Sequence, residues 1–261
     1  RAAMVQRGIS ATDRKLFLNP KDCLAIAKDL GNRAYLGDIS KTALERAQIP
    51  DVGGFKSYET DNVINLAAVG TVSGTTVSGT QSFTVTAMTG ALPTDNRRMT
   101  LVVAGANIAN KKNGDAFTIA GVNAVHNVDK SDTGDLMTFR IISGAGTANL
   151  VITPAIVATG PYQNVTNAAA GGSAIVFLNT VTKPVNAFWA QGAVTLDYGK
   201  LAFPSGQGAQ VMTATTKQGV PLIMSYEFDS KTGKVFIRHT TLYAATVLDP
   251  EKCGLILANQ T

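Results

Sequence analysis

His126 and His239 are the only imidazoles this chain has for acid–base work. A hydrolytic triad needs a nucleophile, a base and an orienting carboxylate within hydrogen-bond reach. Ser225, His239 and Asp229 can be assembled into one on paper. No G-x-S-x-G elbow accompanies them. The Asn123–Asp129 surroundings of His126 read as a strand edge, and His239 falls beside Arg238 within a hairpin. Both histidines therefore read as ordinary surface or packed strand residues.

Asp129-Lys-Ser-Asp132-Thr-Gly-Asp135 has the look of a calcium loop. Its spacing is D-x-x-D-x-G-D and it lacks the Glu at position twelve, so it reads as an Asx-rich turn. Gly171-Gly172-Ser173 has no following Lys and reads as a flexible linker, not a phosphate cradle. Each Asp of the middle block lies in or beside a turn signal, away from the apolar surroundings that raise a catalytic carboxylate's pKa. Asn164-Val-Thr166 is a formal glycosylation sequon without a secretory signal beside it. Cys23 and Cys253 have no neighbouring Cys or His, and read as reduced structural thiols of a cytosolic protein. No catalytic residue, cofactor or metal is expected.

The elements that would position such groups are written in the composition. The chain has 261 residues, 45% hydrophobic and 16% charged, enough to bury a sizeable core. Its net charge of +5 divides into +2 over residues 1–69, +1 over 70–182 and +2 over 183–261. Without a concentrated basic stripe, the composition speaks against sequence-specific nucleic-acid reading and leaves open weak, salt-sensitive contact with polyanions. No apolar run reaches the roughly 18–20 residues of a membrane span. No glutamate occurs between Thr60 and Tyr226; Thr, Val, Gly, Ala, Ser and Asn fill the stretch, starting with a tandem TVSGT at Thr71–Thr80. Helix surfaces favour Glu and Lys while pleated surfaces favour β-branched residues, so residues 70–182 read as a β module.

Within that module alternation predicts strands around Phe83–Ala87, Leu101–Val103, Phe117–Ala120, Met137–Ile142, Leu150–Ile152 and Ile175–Leu178. Asn113-Gly114, Thr133-Gly134 and Gly144-Ala-Gly146 supply turns. Six short strands suggest a small barrel. Before the module, Lys15–Leu18 reads as a strand. Asn19 and Pro20 then cap a helix carrying Leu24, Ala27 and Leu30 and stopped by Gly31. A second helix is predicted from Ser40 to Ala47, and a helical turn after the Asp51–Phe55 turn. Past the module, Trp189 opens a strand region, 220–228 and 234–243 form a hairpin, and Leu255–Leu257 forms a final strand. The expected fold is an α+β domain made of residues 1–69 and 183–261, with an all-β six-stranded barrel, 70–182, inserted into it.

Several segments resemble one family, the major coat (capsid) protein of short-tailed phages that infect enteric bacteria. Leu16–Asp22 (LFLNPKD) is similar to its strand–Asn-Pro–helix segment, and Gly54-Phe55 to its Gly-Phe turn. Val77–Phe83, Lys112–Val122 and Gly146–Pro154 resemble parts of its insertion domain, and Asn186–Leu196 the Asn-x-Phe-Trp-Ala segment after it. The chain resembles the carboxy-terminal part of the family; the amino-terminal arm, the extended loop and most of the spine helix have no counterpart in it. The resemblance implies the tailed-phage capsid fold, with an axial and peripheral domain and an inserted β-barrel. It also implies hexamers and pentamers of an icosahedral procapsid and capsid, a scaffolding protein, a portal and packaged double-stranded DNA. Assembly is expected in the bacterial host cytoplasm. Asp95, Arg97 and Arg98 fall on the counterpart of the family's inter-capsomer loop, which is shorter here. The alternative is a β-rich surface- or sugar-binding virion or adhesin module, which would show clustered exposed aromatics. A hydrolase with an inserted β domain comes third, for want of a convergent acid–base set.

Overall fold

Asn19 shows how local chemistry fixes the start of the fold. Its side chain accepts a 2.8 Å hydrogen bond from the Lys21 amide, and Pro20 occupies the first helical turn. The strand Lys15–Leu18 therefore ends where the helix Pro20–Gly31 begins. A computed structural model describes residues 1–32, 49, 51, 53–62, 64–72, 74–199, 210–217, 219–258 and 260. They form two compact units, Arg1–Ala193 with Pro250–Thr261, and Val194–Asp249.

In the first unit, strands from both ends of the chain share one sheet, in the order Cys253–Leu257, Lys183–Trp189, Lys15–Leu18, Lys56–Glu59. Lys15–Leu18 runs antiparallel to Lys183–Trp189 and parallel to Lys56–Glu59. Phe17 stacks on Trp189 at 4.5 Å and on Tyr58 at 5.2 Å, binding three strands across one face. The helix buries Cys23 against Leu16, Leu18 and Phe55, with Ile26 packed beside them, and Ala27 is also buried. The Cys23 thiol is pushed up by burial and by nearby Glu59 and Asp22.

Several expectations are corrected here. Leu24 is 63% exposed, because the buried stripe runs one residue earlier, through Cys23 and Ala27. Gly31 lies inside the helix, and Asn32 is its cap with ordinary right-handed geometry. The segment after Phe55 is the strand Lys56–Glu59, whose pairing with Lys15–Leu18 overrides any helical preference. The helix expected at Ser40–Ala47 lies outside the described residues.

The second sheet of this unit is an antiparallel six-stranded sheet. Its order is Ile175–Phe177, Ala116–Val125, Asp132–Ser143, Asn149–Thr153, Met99–Ala104, Thr76–Val77. The ends nearly meet: Ile175 N–H donates to Thr75 at 3.0 Å, Val77 N–H to Ser173 at 3.0 Å and Gly172 N–H to Val77 at 2.9 Å. The result is a nearly closed barrel. Alternate residues fill it, with Leu101, Phe117, Ile119, Phe139, Ile141, Leu150 and Ile152 all at zero exposure. Gly171-Gly172-Ser173 is therefore the seam of the barrel and not a loose linker. A Cβ on Gly171 would sit 2.9 Å from the Gly79 backbone. The sixth strand is Thr76–Val77, inside the tandem repeat, whereas Phe83–Ala87 joins no ladder. Thr133-Gly134 lies within the Asp132–Ser143 strand at a register shift; the chain turns earlier, over 126–131.

The second unit has two pieces. Val194–Gly199 pairs with Leu242–Val247, and Gln210–Thr215, Pro221–Asp229 and Lys234–Thr240 form a three-stranded sheet. The 220–243 hairpin is present as expected. Its register sets Met212 beside Met224, Tyr226 beside Ile237 and Phe228 beside Val235 on one face. Met212, Tyr226, Phe228, Val235 and Ile237 are all exposed. Among the described residues the α-helices are Ala2–Gln6 and Pro20–Gly31, so these residues are mostly β and do not by themselves establish the expected α+β fold.

Candidate functional site

The barrel carries a small hairpin between its 82–86 segment and the Met99–Ala104 strand. Met88–Thr89 pairs with Leu92–Pro93, with Thr89 and Thr94 hydroxyls 2.7 Å apart. Asn96 closes its base: Nδ2 donates to the Thr86 carbonyl at 2.8 Å and Oδ1 accepts from the Thr86 amide at 3.1 Å. Thr153 Oγ1 donates to the Arg97 carbonyl at 3.0 Å, anchoring the hairpin to the barrel wall.

Asp95, Arg97 and Arg98 lie together at this base. Asp95 Oδ1 accepts from Arg97 Nε at 2.8 Å and from the Arg97 amide at 3.1 Å. Arg97 Nη2 reaches Oδ2 at 3.2 Å, and Arg98 Nε is 3.7 Å from Oδ2. The Arg97 guanidinium holds the Asp95 carboxyl below the usual carboxylate range, and Asp95 in turn raises Arg97. The side chains stay about half exposed, so the pairing shapes the loop more than it stabilises the fold. The result is a rigid, exposed patch with one positive charge in excess. Sequence reasoning found the three charges but missed Asn96, which fixes them. Asn is common at turns, and nothing in the sequence shows that its partner is Thr86.

The other candidates do not converge. Ser225 pairs with Arg238 and His239 with Met224, so the Ser225 and His239 side chains project from opposite faces of their sheet. Asp229 is engaged by the Lys231 amide and the Thr232 hydroxyl. No triad forms. His126 Nδ1 lies 2.9 Å from Asp129. Asp129 accepts from the Ser131 amide and hydroxyl, and Asp132 from the Gly134 amide and Asn123. These are Asx turns. Among the described residues no cluster of three or more His, Cys, Asp or Glu is placed to hold a metal. The sequon residue Asn164 is buried and uses its amide on Val157 and Ala155.

An apolar barrel bearing a hairpin fixed by its own side chains is the construction of a structural module. The family described as "P22 coat protein - gene protein 5" matches residues 1–258, and the chain belongs to that family. The chain is also similar to a solved structure, the CUS-3 coat protein I-domain. That match has 38% identity, covers 42% of this chain and 99% of that one, and has a TM-score of 0.34. A member of a phage coat protein family is a structural, virion-forming subunit that associates with copies of itself. No helix among the described residues is long and apolar enough to cross a membrane.

Proposed function

We propose that this chain is a shell subunit with the α+β capsid fold, in which residues 1–69 and 183–261 form the discontinuous core domain. Residues 70–182 are the inserted barrel, which stiffens the subunit and offers the Asp95, Arg97 and Arg98 patch to a neighbouring capsomer. The observation that carries this reading is the family match over residues 1–258. The shared sheet, built from both ends of the chain, supports the discontinuous core. The exposed apolar face around Tyr226 and Phe228 supports a subunit that is covered on assembly. Individual contacts are weak and many copies make the shell. The subunit assembles in the host cytoplasm with a scaffolding protein and a portal, as hexamers and pentamers, and encloses double-stranded DNA. Its excess of positive charge, +5, favours non-specific contact with that DNA. The test is co-expression of the coat gene with its scaffolding and portal genes, followed by electron microscopy. Closed icosahedral particles are expected; particles that form without this chain would defeat the reading.

A further inference from the structure

Residues 4–14 touch both the core sheet and the barrel turn at 126–131. On the core side, Met4 and Ile9 are buried with Leu16 and Leu18. Arg14 is 2% exposed; its Nε donates to the Ser10 carbonyl at 2.9 Å and its Nη2 to the Ile9 carbonyl at 2.6 Å. Its guanidinium lies 5.8 Å from the centre of the Phe55 ring. The Arg14 carbonyl accepts from Lys56 N–H at 2.9 Å, which ties the segment into the sheet.

On the barrel side, Asn127 N–H donates to the Arg7 carbonyl at 3.1 Å, and Arg7 Nη2 donates to the Met137 sulfur at 2.8 Å. Gly8, at φ +78, lies against the His126 ring. A Cβ there would sit 2.6 Å from His126 Nε2. On its other edge the ring has Nδ1 2.9 Å from Asp129, which holds the imidazole in place against Gly8. The barrel-side contact is therefore small. It is also costly for Arg7, because a thioether is a weak acceptor and repays little of the hydration that a buried guanidinium gives up. Burial pushes the Arg7 pKa down, and Glu251 and Asp135 offset this only in part. Undocking would return the cation to water, so release has a compensating gain.

We propose that residues 4–14 are a releasable brace. Docked through Arg7 and Gly8, they hold the barrel at one angle to the core sheet; undocked, they leave it carried by the strands of its entry and exit. The firm end is at Arg14, where a buried guanidinium is satisfied by two carbonyls and an aromatic face. The weak end is at Arg7, where one amide, one sulfur and one ring meet the segment. Release is therefore expected at the barrel and not at the sheet. The Met88–Pro93 hairpin is anchored to the barrel wall through Arg97 and Thr153, so the brace also sets where that hairpin points. The device belongs to the single chain and stands whatever the hairpin meets.

The test measures residual dipolar couplings and amide exchange on the isotope-labelled, unassembled full chain. In the natural chain, amides of the Ala116–Val125 and Asp132–Ser143 strands and of the Lys15–Leu18 and Lys183–Trp189 strands are expected to share one alignment tensor. Gly8→Ala should drive the segment off the His126 ring. The barrel and the core sheet should then need separate tensors, and the Asn127 amide should exchange at least about tenfold faster, with the barrel-strand resonances in place. Adding His126→Ala removes the obstructing ring and should restore the single tensor. Arg7→Asp undocks without a backbone clash, by facing Asp135 and Glu251 with a like charge, and decides the matter should Gly8→Ala fail to fold. Arg7→Met keeps the stem without the cation and should slow Asn127 exchange about tenfold, because undocking no longer rehydrates a charge. Two tensors in the natural chain, or one tensor in the undocking variants, overturns the brace. Asn127 exchange that is unchanged or faster in Arg7→Met overturns its release. None of these failures touches the shell reading, which is tested on particles.

Discussion

Asn179 donates a 2.8 Å hydrogen bond from Nδ2 to the Asp115 carboxylate, and neither residue has any solvent exposure. The same Nδ2 reaches the Ala67 carbonyl at 3.1 Å, Oδ1 accepts from Ala116 N–H, and the Asn179 carbonyl accepts from Val69 N–H. One side chain therefore ties the chain's entry into the barrel to its exit. Asn179→Ala strands a buried carboxylate oxygen and is expected to cost about 3 kcal/mol. Urea unfolding of the full chain checks this; a loss under about 1 kcal/mol would show that the latch is incidental.

Lys111 is 2% exposed, its Nζ has no hydrogen-bond partner, and burial pushes its pKa down. Lys111→Met keeps the apolar stem and removes the ammonium, and should stabilise the fold by about 1–3 kcal/mol. The sign with pH follows. A lysine lowered on folding sheds its proton earlier in the folded state, so the unfolded chain binds more protons between the two values. Stability contributed at Lys111 rises with pH through that window, up to the ordinary lysine range. Alkaline titration of the unfolding midpoint should show this rise in the natural chain and not in Lys111→Met.

Arg97→Asp with Arg98→Asp gathers three carboxylates at the hairpin base. Shell yield in electron micrographs should fall, while the thermal unfolding of the barrel stays unchanged because these side chains are about half exposed. Unchanged particle yield would remove the hairpin from the assembly contact. The depressed Asp95 carboxyl implies that its pairing persists at neutral pH and is lost as acid takes the pH below the ordinary carboxylate range. The associated stability is no more than about 1 kcal/mol, given the exposure.

Gly144 sits at φ +80, and a Cβ there would meet the Asn149 carbonyl oxygen. Gly144→Ala should cost more than about 2 kcal/mol, from the backbone conformation and the clash together. Gly146, at the same φ but with open space around it, should lose only about 1 kcal/mol as Ala. Equal losses at the two sites would show that the close approach to Asn149 carries no weight.

Much of the barrel was legible because its strands alternate cleanly. Phe117, Phe139 and Ile152 point inward as their spacing requires. The Asn19-Pro20 helix start was legible because capping is local chemistry. The strand at Thr76–Val77 was not: a Thr/Gly repeat has no apolar period, and its pairing with Ala104 and Val103 is set by a distant strand. Conversely, Phe83–Ala87 alternates like a strand but finds no ladder partner. At the site, the charges Asp95, Arg97 and Arg98 were visible in sequence, whereas the Asn96, Asn164 and Asn179 contacts were not. An Asn side chain serves turns, caps and buried bridges equally well, and only the folded backbone decides which.

Where the chain passes into the barrel and out of it, Asn65 and Leu66 lie antiparallel to Pro184 and Lys183. Two strands side by side form a ribbon, wider than it is thick. Such a strip bends more readily across its flat face than within its plane. The entry and exit strands thus splint each other, and the contacts of Arg7 with Asn127 and Met137 add a second tie between the barrel and the N-terminal segment.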